Sequence, residues 1–75
     1  GASMQQATFV VPPMALAKIH GVYGVRISAR KVDLLDQLGN RIQSAWHRQA
    51  DKVAAKSFGE LVDFVKSRNP AAAAR

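Results

Sequence analysis

Apolar residues recur at helical spacing through the middle of the chain. Between Ser28 and Lys56, the residues Val32, Leu34, Leu35, Leu38, Ile42, Ala45, Trp46, Ala50 and Val53 fall within one half of a 3.6-residue wheel. Asp33, Asp36, Asn40, Ser44, His47, Arg48 and Asp51 take the other half. This pattern predicts amphipathic helix. Gly39-Asn40 interrupts it, and two adjacent poor helix formers cost roughly 1 kcal/mol or more inside an exposed helix. A break there is cheaper than one continuous helix: Gly39 can close a first helix in the left-handed conformation and Asn40 can cap a second, with Gln43 placed for a capping box. The expectation is helix, tight turn, helix. An alternative α+β reading uses the same residues differently. Asp36-Gln37-Leu38-Gly39 fits a type I turn followed by a glycine bulge, which would join the two ends of the segment from Val32 to Trp46 as a hairpin. Against the hairpin stand Leu38, which it would expose at the turn tip, and the helix-favouring Ala, Gln, Lys and Arg of residues 43–56.

The flanking segments carry shorter patterns. Residues 22–28, VYGVRIS, alternate, with Tyr23, Val25 and Ile27 on one side and Gly24, Arg26 and Ser28 on the other, as in a half-buried strand. Such a strand must pair along its edges, either with the β-type run at residues 8–11 or with its own copy in a second subunit. Pro12-Pro13 stop that first run and can open a helix from Met14 to His20, which Gly21 would end. Ser57-Phe58-Gly59-Glu60 is a capping box, and the helix it starts carries Phe58, Leu61, Val62, Phe64 and Val65 on one face until Asn69-Pro70 stops it. The expected fold is therefore mainly α with a short β-strand: strand, helix, turn, helix, then a C-terminal helix.

Seventy-five residues make one small domain, placed at residues 4–69, and so short a chain buries a small fraction of its surface. Gly1-Ala2-Ser3 before Met4 has the look of a cleavage scar, and residues 70–75 read as a disordered tail or linker. Cysteine is absent, so neither disulfides nor thiolate metal ligation can support the core. No secretory signal or apolar run of membrane-spanning length is evident, and cytoplasm is the default compartment. The net charge of +6 favours polyanionic partners: nucleic acid, an acidic protein segment or, less well suited, an anionic membrane.

Catalytic chemistry has few candidates. His20 and His47 are far apart in sequence with no acid at ligand spacing, which argues against a metal site, and no cofactor or small-molecule substrate is expected. Asp33 and Asp36 would share a helix face but read as ordinary surface charges beside Arg30 and Lys31. There is no glycine-rich phosphate loop. Trp46, Phe58 and Phe64 could be stacking platforms for bases; their places on the apolar faces favour core packing.

The order strand, helix, glycine turn, helix over residues 22–55, with Arg26 and Ser28 outward on the strand, resembles the ribbon-helix-helix DNA-binding family. The resemblance implies a dimer whose paired strands enter the major groove. Gly24, Arg26 and Ser28 would then face the bases, and Asn40 with Arg41 would anchor a phosphate at the second helix N-terminus. Gly24 offers no reading side chain, and the residues before the strand and the Ser57 helix lie outside the family pattern. With Arg30, Lys31 and Arg48 added for their charge, these residues form the expected nucleic-acid-binding set. The expectation is a small, basic, dimeric, non-enzymatic nucleic-acid-binding domain; a protein-docking or oligomerisation module of a larger chain is the alternative. Val25, Ile27, Leu35, Leu38, Ile42 and Trp46 are expected to share the dimer core. On that reading a charge at Ile42 would unfold the domain, and Arg26→Ala would leave the fold intact.

Overall fold

A computed structural model describes residues 7–68 of the chain; the side chains of Ala50 and Asp51 are not described. The elements run β1 (Thr8–Val10), α1 (Met14–His20), β2 (Gly24–Ile27), β3 (Lys31–Leu35), β4 (Arg41–Trp46), α2 (Ala50–Ala54) and α3 (Phe58–Ser67). The four strands form one antiparallel sheet in the order β1-β2-β3-β4. The fold is α+β, which corrects the expectation of a mainly α chain: the two central helices are absent, and residues 31–46 form the β3–β4 hairpin. The expected scar at residues 1–3, the expected Asn69-Pro70 stop and the expected tail at 70–75 lie outside the described residues.

The physical reason is the position of β3. It lies between β2 and β4, so both of its edges are paired; α3 covers one face and the Arg26 and Ser44 side chains flank Asp33 on the other, and Val32, Asp33, Leu34 and Leu35 are all buried. A strand buried on both faces loses the apolar–polar alternation, and its short apolar run then fits a helical wheel equally well. Local chemistry at the turn supports the hairpin. The Asp36 carbonyl accepts the Gly39 N–H at 3.0 Å, and the Asp36 N–H donates to the Asn40 carbonyl at 2.8 Å. The Asp36 carboxylate accepts the N–H groups of Leu38 (2.9 Å) and Asn40 (2.8 Å). Gly39 takes the left-handed conformation at φ 83°, where it closes a turn between strands and not a helix. Leu38 does stand at the tip, 85% exposed, but a lone exposed leucine is common on protein surfaces and was weak evidence against the turn.

The outer elements follow their local signals. Gly21 ends α1 at φ 69°, its N–H donating to the Ala17 carbonyl. The Ser57 hydroxyl accepts the Glu60 N–H while the Glu60 carboxylate accepts the Ser57 N–H, closing the capping box of α3. β2 pairs with β1 through Val10↔Val25 and with β3 through Val25↔Leu34, so both of its edges are satisfied within one chain.

One sheet face carries the core. Val25 and Ile27 of β2, Val32 and Leu34 of β3, and Ala45 of β4 meet Phe58, Leu61, Val62 and Val65 of α3, with Val22 and Val53 completing the cluster. Each large side chain buried there stabilises by about 1.5–3 kcal/mol. Of the six residues expected to form a shared core, Val25, Ile27 and Leu35 are buried in the chain. Leu38, Ile42 and Trp46 lie on its surface.

The opposite face holds a buried ion pair where the register aligns Arg26, Asp33 and Ser44 across three strands. Asp33, 1% exposed, accepts Arg26 Nη2 at 2.8 Å and Nε at 2.9 Å, and the Ser44 hydroxyl donates to its other oxygen. Lys31 Nζ lies 3.9 Å away. Asp33 is therefore not the surface charge expected from the wheel. Burial pushes its carboxyl pKa up, but the hydrogen bonds from Ser44 and Arg26 and the charges of Lys31 and Arg26 outweigh burial and hold it below its ordinary value.

Stability should track this network. Arg26→Ala leaves a buried carboxylate with weaker partners and is predicted to cost on the order of 2–3 kcal/mol, below the range for fully buried pairs because Arg26 is partly exposed. Since the folded pKa of Asp33 is depressed, its contribution is complete above the unfolded pKa and is lost as pH falls through the folded one. Ile42, half exposed on the edge strand β4, should tolerate Asp for about 1 kcal/mol or less. Urea denaturation of the two variants, with the wild type followed from neutral to acidic pH, measures all three effects. An Ile42→Asp protein less stable than Arg26→Ala would contradict this packing.

Candidate functional site

Two connections at one end of the sheet build a cleft. Ala29 and Arg30 form the short turn between β2 and β3, where the Ser28 N–H donates to the Lys31 carbonyl at 2.8 Å. The Arg30 carbonyl accepts the His47 N–H at 3.2 Å, which ties this turn to the residue after β4. From there the chain passes through Arg48 and Gln49 into α2, which Val53 anchors in the core. The cleft between these segments and the end of α3 has a volume of about 900 Å³.

Its lining is strongly basic. Arg30 comes from the β2–β3 turn, Arg48 from the segment after β4, Lys52 and Lys56 from α2 and the residues following it, and Arg68 from the end of α3. Among the described lining residues there is no carboxylate. Five cations around one concavity focus a positive potential into it, which raises the local concentration of any anion. Trp46 stands at the cleft 71% exposed, and Phe64 lies half-buried in its wall. The Arg68 guanidinium carbon sits 4.4 Å from the Phe64 ring centroid, a cation–π contact that commits the ring face to Arg68 and orients the guanidinium. His47 contributes two buried ring nitrogens with no hydrogen-bond partner among the described residues. A buried polar group left in that condition costs about 1–3 kcal/mol.

The expected binding residues separate accordingly. Arg30 and Arg48 enter the cleft. Arg26 is held by Asp33, and Lys31 lies beside the same carboxylate, on the other sheet face. Ser28 sits at the β2–β3 turn, Gly24 is buried opposite Leu35, and Asn40 and Arg41 follow the β3–β4 turn. Gly39-Asn40-Arg41 thus leads into a strand, and β2 is an internal strand, so the strand-helix-turn-helix order that carried the ribbon-helix-helix resemblance is not formed. Lys52, Lys56, Arg68 and His47 were not among the expected residues. Lys52 and Lys56 are four apart, a spacing that could have marked them as neighbours on a helix. Arg68 carries no comparable signal, because its place depends on how α3 packs. Of the aromatic residues, Phe58 is buried and meets His20 edge-on at 5.6 Å, while Trp46 is outside the core.

Among the described residues, no group of three or more His, Asp or Glu is placed to hold a metal ion. Asp33 lies in β3 and Asp36 in the turn after it, so the two carboxylates do not share a helix face. No described helix is long and apolar enough to cross a membrane. Comparison with protein-family models, with curated proteins and with solved structures finds no match for this chain.

Proposed function

We propose that this chain is a small, non-enzymatic nucleic-acid-binding domain of the cytoplasm, and that it binds through the cleft between β4, α2 and the end of α3. The observation that carries the reading is the convergence of Arg30, Arg48, Lys52, Lys56 and Arg68 on one concavity without a described carboxylate among them. Like charges gathered this way repel one another, so the arrangement costs stability unless an anion relieves it. A phosphodiester backbone supplies charges at regular intervals and gains further from release of its condensed counterions. The exposed Trp46 beside the cations adds a surface for bases, which an acidic protein segment would not use. DNA is the first partner to test.

A second reading, self-association or protein docking, is favoured by a separate surface. Phe9 and Val11 at the end of β1, and Met14, Leu16 and Ile19 on α1, are exposed large apolar residues within one short stretch. A second copy of the chain would cover them in a homodimer. This surface replaces β2 as the reason to expect a dimer, since β2 already has both strand partners.

Binding should be governed by salt. A labelled oligonucleotide followed by anisotropy is predicted to lose affinity steeply between ~50 and ~200 mM salt. Lys52→Glu combined with Lys56→Glu, both exposed positions, should reduce the salt slope by about 2 and weaken binding to all sequences alike. Failure to bind duplex DNA, single-stranded DNA or RNA at low salt would exclude the reading. For the dimer, light scattering should report twice the chain mass, and Ile19→Asp should give a folded monomer whose melting temperature no longer depends on protein concentration. A wild-type monomer at high concentration would exclude self-association.

A further inference from the structure

We propose that the cleft takes a single strand in preference to a duplex, with one base stacked on Trp46 and an adjacent phosphate held by Arg30 and Arg48. This rests on the nucleic-acid reading above and makes it specific. The shape of the site argues first. Its cations line a concavity of about 900 Å³, the scale of a small-ligand pocket, so it can admit a few nucleotides. A duplex keeps its bases stacked inside and can offer such a site phosphates alone, whereas a single strand offers phosphates and bases together.

Aromatic geometry argues second. Trp46 is 71% exposed beside those cations, whereas the Phe64 face is already taken by Arg68 at 4.4 Å. Trp46, the last residue of the edge strand, reaches the rim of the cleft from the Lys31 side of the sheet and supplies its exposed aromatic surface. Bases inside a duplex are stacked on each other and have no face to offer; splayed bases of a single strand do. The neighbouring cations argue third. Arg30 and Arg48 line the same cleft as Trp46, and their guanidinium groups suit bidentate contact to the oxygens of a phosphate next to the stacked base.

The test compares fluorescein-labelled single-stranded DNA and RNA of about a dozen nucleotides, a length within the usual range for single-strand sites, with duplexes of the same length. Either single strand should bind at least ~10-fold tighter than its duplex and should quench the emission of Trp46, the chain's single tryptophan. Trp46→Ala should weaken single-strand binding about 5- to 150-fold and leave duplex binding unchanged, while Trp46→Phe retains most of the affinity. Duplex binding as tight as single-strand binding, or a Trp46→Ala protein with unchanged single-strand affinity, overturns the inference while leaving the broader reading standing. Absence of binding to any of the four nucleic acids overturns both.

Discussion

The buried Asp33 carboxylate constrains the rest of the structure. A charge in the middle strand of a sheet is tolerated only where its partners are brought to it, and here β2 supplies Arg26 and β4 supplies Ser44 at the register positions opposite. A slip of one residue in β2 or in β4 would turn that strand's partner, Arg26 or Ser44, to the helix-covered face and away from the carboxylate. The network thus selects one alignment of three strands. It does so on the face where Phe9 and Trp46 remain exposed and no large apolar cluster is available to choose the register. The same pair removes Arg26 from the cations available to a ligand, so the basic surface that remains free lies elsewhere.

That surface depends on the alignment. With β2, β3 and β4 in register, the β2–β3 turn lies beside the end of β4, and the bond from the His47 N–H to the Arg30 carbonyl joins them. Val53 pins α2 to the core while Lys52 and Lys56 stay in water, and the capped α3 delivers Arg68 to the same place. Packing therefore brings together charges that are dispersed along the chain. Their repulsion opposes folding, and the apolar contacts of α3 with β2, β3 and β4 are what offset it.

Where sequence and structure agree, the signal was local. The capping box at Ser57, the glycine end of α1, the apolar face of Phe58, Leu61, Val62 and Val65, and the strand within VYGVRIS all depend on residues close in the chain or on strict alternation. The centre misled because a strand covered on both faces loses its alternation, and the four buried residues of β3 fitted a helical wheel. The Asp36 turn was visible as an alternative, but helix propensity in residues 43–56 and one leucine at the tip outweighed it; tertiary pairing decides such cases, and propensity is a weak guide against it. The site was legible only in part. Overall charge indicated a polyanion, and Arg30 and Arg48 were among the candidates, yet Arg26 looked free because its partner Asp33 was assigned to a solvated helix face. Trp46 looked buried for the same reason. The helical reading misplaces Asp33, Leu38, Ile42 and Trp46, while Val32, Leu34, Leu35, Ala45 and Val53 are buried as it expects.

The central claim is that folding as a sheet gathers dispersed cations into one ligand cleft and takes Arg26 out of use. Amide chemical-shift mapping during titration with a single-stranded oligonucleotide tests it most directly. The account predicts that perturbations concentrate at Arg30, Trp46 to Gln49, Lys52, Lys56 and Arg68, with little change at Arg26, Asn40 and Arg41. Perturbations centred on Arg26, Ser28, Asn40 and Arg41, with the cleft residues unmoved, would contradict it.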